Sequence, residues 1–255
     1  MNKEIILKRF LDEEKNIAIN LYEKMMLSYE RNIPMFGKSF YPPNIWKFFE
    51  EEIKIKGLKV ESFGAFKESE RRMISFNNIY DTKFPIRVLE IRNSSKFTKV
   101  THRNYLGSIL SLGIERDKIG DLIVKEDICY VAVYEEIADY ILMNLKSIGK
   151  TPCKITELFE DIEAITHEFK EETILISSIR IDSIVAKLTN KSRGLAQKMI
   201  DEGLVLINYN INREKSFEVE KDDRITIRKY GKYIIGDCTG RSKSGKYKIN
   251  IKKYT

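Results

Sequence analysis

The side chains of this 255-residue chain best equipped to hold a ligand cluster toward its C-terminal end. Lys191, Ser192, Arg193, Gln197 and Lys198 follow one another closely, and positions 193 and 197 are neighbours one turn apart on a helix. Lys187 lies just before them and Asn208 just after. Guanidinium and ammonium groups grip phosphate oxygens, which leaves the amides of Gln197 and Asn208 for sugar hydroxyls or base edges. That is the chemistry of a nucleic-acid grip. The same residues also fit a solvated helix face, because residues 178–223 carry 8 basic and 8 acidic side chains. The neighbouring segment shifts the balance. Residues 224–255 hold 10 basic side chains against the single Asp237, among them Arg228, Lys229, Lys232, Arg241, Lys243 and Lys246. Residues 1–177 carry 27 basic and 29 acidic side chains, so the excess behind the net charge of +7 sits at one end, where it attracts phosphate or anionic lipid.

Catalytic chemistry has weaker footing. His102 stands just before a helical pattern and suits capping, an RNA contact or a base, but spacing identifies no carboxylate or nucleophile to work with it. Arg103, Arg116 and Lys118 are candidates for secondary RNA contacts, and Glu135, Glu136 and Asp139 read as acids favoured by a helix N-terminus. Gly240–Lys246 fits the phosphate-loop pattern GxxxxGK. However, Tyr247 replaces the magnesium-binding hydroxyl, and a strand pattern follows where a helix is required. Cys129, Cys153 and Cys238 are odd in number and far apart, and with His102 and His167 they make neither a disulfide framework nor a zinc site. The expectation is a protein without cofactor or metal.

The elements that must position these residues form a multidomain α+β chain. At 42% hydrophobic and 33% charged it has the composition of a folded protein. Its longest apolar run, Ile128–Tyr134, is far too short to span a membrane. The N-terminal MNKEIILKRFLDEE meets acids before a signal-like core can build, so the expected location is the cytoplasm. Residues 1–70 read as a helical region, with helical spacing over 4–32 and a short aromatic helix around Trp46. Residues 71–160 read as ββαββαβ: strands at 72–76, 85–91, 121–124, 128–134 and 153–158, helices at 102–112 and 135–147. In the second helix Ile137, Tyr140, Ile141 and Leu145 are expected to face inward. Residues 161–176 read as a polar linker. In 177–255 a helix over 180–188 precedes one capped by Ser192, with Leu195, Ala196, Met199 and Ile200 inward and Gly203 closing it in a left-handed conformation. Strands follow at 204–207 and 224–228, and the alternation in Tyr247–Ile251 makes the basic segment a folded sheet.

Arg180, Asp182, Ser192-Arg193, Ala196-Gln197, Ile200, Gly203, Val205, Asn208 and Asp223, in this order, resemble the S-four RNA-binding domain, named for the fourth small-subunit ribosomal protein; Asn208-Tyr209 departs from its usual Asn-Gly. The stretches THRNYLGSILSLGIERDKIGD at 101–121, SFGAFKESERRMISF at 62–76 and FLDEE at 10–14 resemble bacterial YlmH-type proteins. The resemblance implies a helical N-terminal region, a middle domain like the RNA-recognition motif and a C-terminal S-four domain. It implies a non-enzymatic factor that binds ribosomal RNA and tRNA on the large ribosomal subunit, in ribosome-associated quality control, with Arg180 among the contacts. A monomer is expected, without membrane insertion. S-four domains also accompany RNA-modifying enzymes, so a catalytic middle domain is the alternative reading. A membrane scaffold is a third, disfavoured because no basic amphipathic helix is present.

Overall fold

Apolar residues at three- and four-residue spacing, without Gly or Pro, make the N-terminal segment helical as α1 (Glu4–Arg9) and α2 (Asp12–Arg31). These belong to a computed structural model that describes residues 4–10, 12–95 and 100–254; Leu11, within the expected helix, lies outside the described residues. The chain divides into two units, Met1–Thr166 and His167–Thr255.

In the first unit, β1 (Met35–Phe36) leads to α3 (Pro43–Lys47), opened by a proline at a position that needs no N–H and continued by a π turn over Phe48–Glu52. Ile45, Trp46, Phe48 and Phe49 bury themselves against Ile6, Leu21 and Met25. With β2 (Val60–Phe63) and β3 (Met73–Phe76), β1 forms a small antiparallel sheet in the order β1-β3-β2. Next come β4 (Ile86–Asn93), α4 (His102–Leu110), β5 (Ile119–Lys125), β6 (Ile128–Tyr134), α5 (Glu135–Asn144), β7 (Ser147–Ile148) and β8 (Thr151–Leu158). The strands pair antiparallel in the order β5-β6-β4-β8-β7, two interlocked split βαβ units.

The ββαββαβ order holds along the chain, but its first strand, β3, pairs in the small sheet and not in this one. All four of its residues are buried: Ile74 and Phe76 join the α2–α3 core, whereas Met73 packs with Phe40, Phe66, Val88 and Ala132 on the larger sheet. The larger sheet is therefore covered on both faces. Tyr105, Ile109, Ala138 and Ile141 of α4 and α5 cover one, and Phe40, Phe66, Met73 and Ile165 cover part of the other. Tyr140 corrects the expected inward set, since it is 49% exposed and Ala138 takes its place.

The second unit opens with β9 (Phe169–Ile176), followed by α6 (Ile181–Thr189), α7 (Arg193–Asp201), β10 (Val205–Ile207), β11 (Asn210–Ile211), β12 (Arg224–Ile227), β13 (Gly231–Arg241) and β14 (Tyr247–Tyr254). Six antiparallel strands lie in the order β11-β10-β12-β13-β14-β9. One face packs on the helices: Ile225, Ile227, Tyr233, Ile235, Ile249 and Ile251 meet Ile181, Ile184, Val185, Ala196 and Ile200. Alternation turns Thr226, Lys232, Ile234, Lys252 and Tyr254 to the other face. Two expectations change. Residues 169–176, part of the expected linker, are an edge strand paired with β14 along its whole length; only Ile174 and Ile176 are buried, too few to show a strand's alternation. Leu195 is 51% exposed, so the inward stripe of α7 is Ala196 and Ile200 with half-buried Met199.

Candidate nucleic-acid interface

Local rules set the frame of the helix pair. Asn190 ends α6 in a left-handed conformation, and the Ser192 hydroxyl caps α7 by accepting the Leu195 N–H at 3.4 Å. Gly203 follows α7 at φ 70°, as expected. This brings the start of α7 over the start of α6, where Asp182 is fully buried. Arg193 donates a fork to it, Nε to Oδ2 at 2.9 Å and Nη2 to Oδ1 at 3.1 Å. Gln197 Nε2 at 3.0 Å and Arg180 Nη2 at 3.3 Å complete the shell. Burial opposes the charge on Asp182, but the hydrogen bonds from Arg193, Gln197 and Arg180 outweigh it and hold the carboxyl below its ordinary range. An arginine in the first turn of α7 also opposes the helix dipole, and Asp182 offsets that.

The buried carboxylate thus gathers three of the expected contact residues and fixes their orientation. Arg193 is held firmly charged by its bonds to Asp182 and keeps a half-exposed side chain. Two of its five N–H groups bind Asp182, leaving three for an anion. Lys187, Lys191 and Lys198 of the same helix pair are exposed, with Lys198 loosely paired to Glu202 at 3.9 Å. Gln197 spends a donor on Asp182, leaving its carbonyl and one N–H.

Asn208 takes a different role. It and Tyr209 form a turn at φ 47° and 71°, both in the left-handed region. The Asn208 amide donates to Asp223 at 2.7 Å and accepts the Arg224 N–H at 3.0 Å. This side chain joins two turns and has little left for base edges. Ser192 is likewise occupied as a cap.

The six expected contacts beyond residue 224 fall in three places. Arg228 and Lys229 are exposed in the β12–β13 turn, whereas Lys232 lies on the sheet face turned away from α6 and α7. Arg241, Lys243 and Lys246 are exposed at the β13–β14 turn, where the Arg241 guanidinium stacks 4.4 Å from the Tyr247 ring. That turn contains the phosphate-loop lookalike and leads into β14, not into a helix. The expected patch is therefore dispersed over more than one face.

In the first unit, His102 and Arg103 are exposed at the start of α4. The cap there comes from Thr101 and Asn104, whose Oδ1 accepts the Thr101 N–H at 3.0 Å and its hydroxyl at 2.6 Å. Arg116 points inward. It donates to the carbonyls of Ile119 and Gly120, and burial together with neighbouring Arg71 draws its guanidinium down to about 10. Lys118 donates to the Lys38 carbonyl at 2.9 Å and the Ser39 hydroxyl at 3.2 Å. Asp121 accepts the backbone N–H groups of Glu70 at 2.5 Å and Arg71 at 3.2 Å. Gly120 allows Phe40 to approach, since a Cβ there would lie 2.7 Å from its ring. Lys118 and Asp121 thus tie residues 38–39 and 70–71 to the larger sheet and Arg116 braces its own loop, so both basic residues have a structural role in the fold. Among the described residues, no group of His, Cys, Asp or Glu has the arrangement of a metal site, and no helix is long and apolar enough to cross a membrane.

Residues 80–160 match the family described as "Putative RNA-binding domain in YlmH", and residues 179–225 match the S4 domain. Among curated proteins, the chain is similar to "Ribosome-associated protein quality control protein P2" of Bacillus subtilis (strain 168), 27% identical over 176 residues, 68% of this chain and 68% of that one. Among solved structures, it is similar to "Cell division protein ylmH from Streptococcus pneumoniae", 26% identical with a TM-score of 0.48, over 59% of this chain and 94% of that one. The split βαβ sheet carries the first match and the Asp182-centred helix pair the second, so the chain carries a YlmH-type RNA-binding domain followed by a C-terminal S4 domain.

Proposed function

We propose that this protein is a non-enzymatic, cytoplasmic RNA-binding factor that associates with the ribosome as a monomer. Its ligands are ribosomal RNA and tRNA on the large subunit, and its process is ribosome-associated quality control. The observation that carries the reading is the buried Asp182 shell, which presents Arg193, Arg180 and Gln197 as one oriented unit beside exposed Lys187 and Lys191. The similarity to a relative whose name places it in ribosome-associated quality control supports the process. Arg228, Lys229, Arg241, Lys243 and Lys246 add phosphate contacts, and Arg103 and His102 give the first unit a smaller basic site.

Phosphate-dominated binding loses affinity steeply with salt, by about 10³ or more between 50 and 200 mM for six or more contacts. Co-sedimentation with separated ribosomal subunits over a salt series tests the proposal. The expected result is large-subunit association at low salt that falls away across that range, and Arg193→Ala weakens it while lowering the logarithmic salt slope by about one. No association with either subunit at low salt refutes the reading, and preference for the small subunit refutes its assignment to the large one.

A further inference from the structure

The face of the C-terminal sheet turned away from α6 and α7 carries an arrangement that the helix patch does not use. Tyr254 and Phe169 face each other across β14 and β9, with ring centroids 4.9 Å apart. The Lys232 ammonium lies 5.2 Å from the Tyr254 centroid and 5.2 Å from that of Tyr209, which the left-handed turn after Asn208 brings to this face. Lys252 lies 5.9 Å from Phe169, and His167 stands 5.3 Å from Tyr254. Glu171, opposite Lys252 in register, pairs with it at 3.5 Å. The alternate residues Tyr233, Ile235, Ile249 and Ile251 are locked in the core, so register holds the cluster outward.

Resting on the RNA reading above, we propose that this face is a second site, specific for unpaired RNA, on which bases stack against Tyr254 and Phe169 while Lys232 and Lys252 take the adjoining phosphates. Half-buried rings interleaved with lysines on an open sheet meet the two requirements of single-strand binding, a π platform and a cationic track. In the free protein the two ammonium groups lie over the rings, so a stacking base takes the ring face as each lysine moves off it to the adjoining phosphate. A duplex shields the faces of its bases and gains nothing from the rings, whereas the helix patch, a set of phosphate donors, serves a duplex equally well.

The test uses the full chain and two labelled probes, a single-stranded oligouridine of about twelve nucleotides, within the span of one such platform, and a mixed-sequence RNA duplex of equal length. Tyr254→Ala with Phe169→Ala is expected to weaken oligouridine binding about tenfold per ring, the effect of losing one base–aromatic stack, and to leave duplex binding within about twofold. Tyr254→Phe with Phe169→Tyr keeps the rings and restores single-strand affinity. As a direct readout, Tyr254→Trp adds a second indole to a chain whose single tryptophan, Trp46, is buried, and the emission of the new indole is quenched by oligouridine but not by duplex. Unchanged oligouridine affinity in the double alanine variant, equal loss of both probes, or binding without quenching each overturns the platform. If the wild type binds neither probe, the RNA reading fails with it; if duplex binding persists and only the ring effects are missing, the platform alone fails.

Discussion

Asp182→Asn isolates the group that organises the S4 helix pair. The substitution keeps the size of a side chain that is fully buried, but it removes the charge and turns an amide donor toward the donors of Arg193, Gln197 and Arg180. Hydrogen bonds to a charged group contribute about 1.5–3 kcal/mol each, and breaking a fully buried ion pair costs about 3–5 kcal/mol. Arg180 and Arg193 keep 38% and 51% of their side chains exposed, so water takes over part of what they lose, and the discounted cost is about 2–3 kcal/mol. For a unit the size of His167–Thr255, each kcal/mol moves the midpoint by about 4–8 °C, so its transition falls by roughly 8–24 °C at pH 7 while that of Met1–Thr166 stays in place. Scanning calorimetry reads both transitions. The pH dependence has a defined sign. Asp182 is held below its ordinary value of 3.8, so its contribution is complete above that value and is lost as the pH falls through the lower, folded one. The gap between wild type and variant therefore stays constant from pH 7 to about 4 and closes in stronger acid. A shift under about 2 °C at pH 7, or a gap that persists unchanged near pH 2, refutes this account of the shell.

Other predictions probe the two units separately. Asp121→Ala strands the N–H groups of Glu70 and Arg71 and lowers the stability of the first unit by about 2–3 kcal/mol, seen as an earlier thermal transition with the second unit's unmoved. Asn208→Ala loses the bonds to Asp223 and Arg224 and leaves a less tolerant residue at positive φ, for a cost of about 2–3 kcal/mol in urea unfolding of the second unit. Thiol titration with an aromatic disulfide separates the cysteines: exposed Cys238 reacts at once and half-buried Cys153 slowly. Cys129, whose thiol burial pushes far above its ordinary range, reacts only on unfolding, so fast labelling of Cys129 in the native protein contradicts its placement in the core.

What could be read in the sequence and what could not divides along a physical line. Signals carried by one residue and its chain neighbours transfer directly: Ser192 caps α7, Gly203 sits at positive φ, and the β5–β6 hairpin turns between Lys125 and Ile128. Signals that depend on what packs against an element do not. The apolar run in β3 announces a buried strand, yet nothing in four residues says which sheet it joins, and its alternate side chains serve two cores. In the nine-residue α7 too few positions define a stripe, so Leu195 reads like its buried neighbour Ala196. Arg116 is a basic residue in a loop until the carbonyls of Ile119 and Gly120 and the crowding by Arg71 are in view.

The interface shows the same limit in its charges. A balance of 8 basic and 8 acidic residues over 178–223 weighs against an anion-binding surface only if all sixteen reach that surface. Asp182 does not, because it is sealed beneath the arginine it orients. Asp201 pairs with Lys215 at 2.8 Å, and Asp223 is held by Asn208 and the Glu220 N–H. These acids are spent on internal or local partners while Lys187 and Lys191 stay exposed, so the zero balance of the segment does not describe the surface of the helix pair. Strand alternation has the converse effect on 224–255, where a dense run of positive charge is divided between the faces of the sheet and two turns. The sum of charges describes neither surface. The positions of the carboxylates, Asp182 first, determine where a cation is left uncompensated, and on the RNA-binding function proposed above a charge-neutralising change at that buried acid is expected to alter RNA affinity, as the removal of an exposed lysine is.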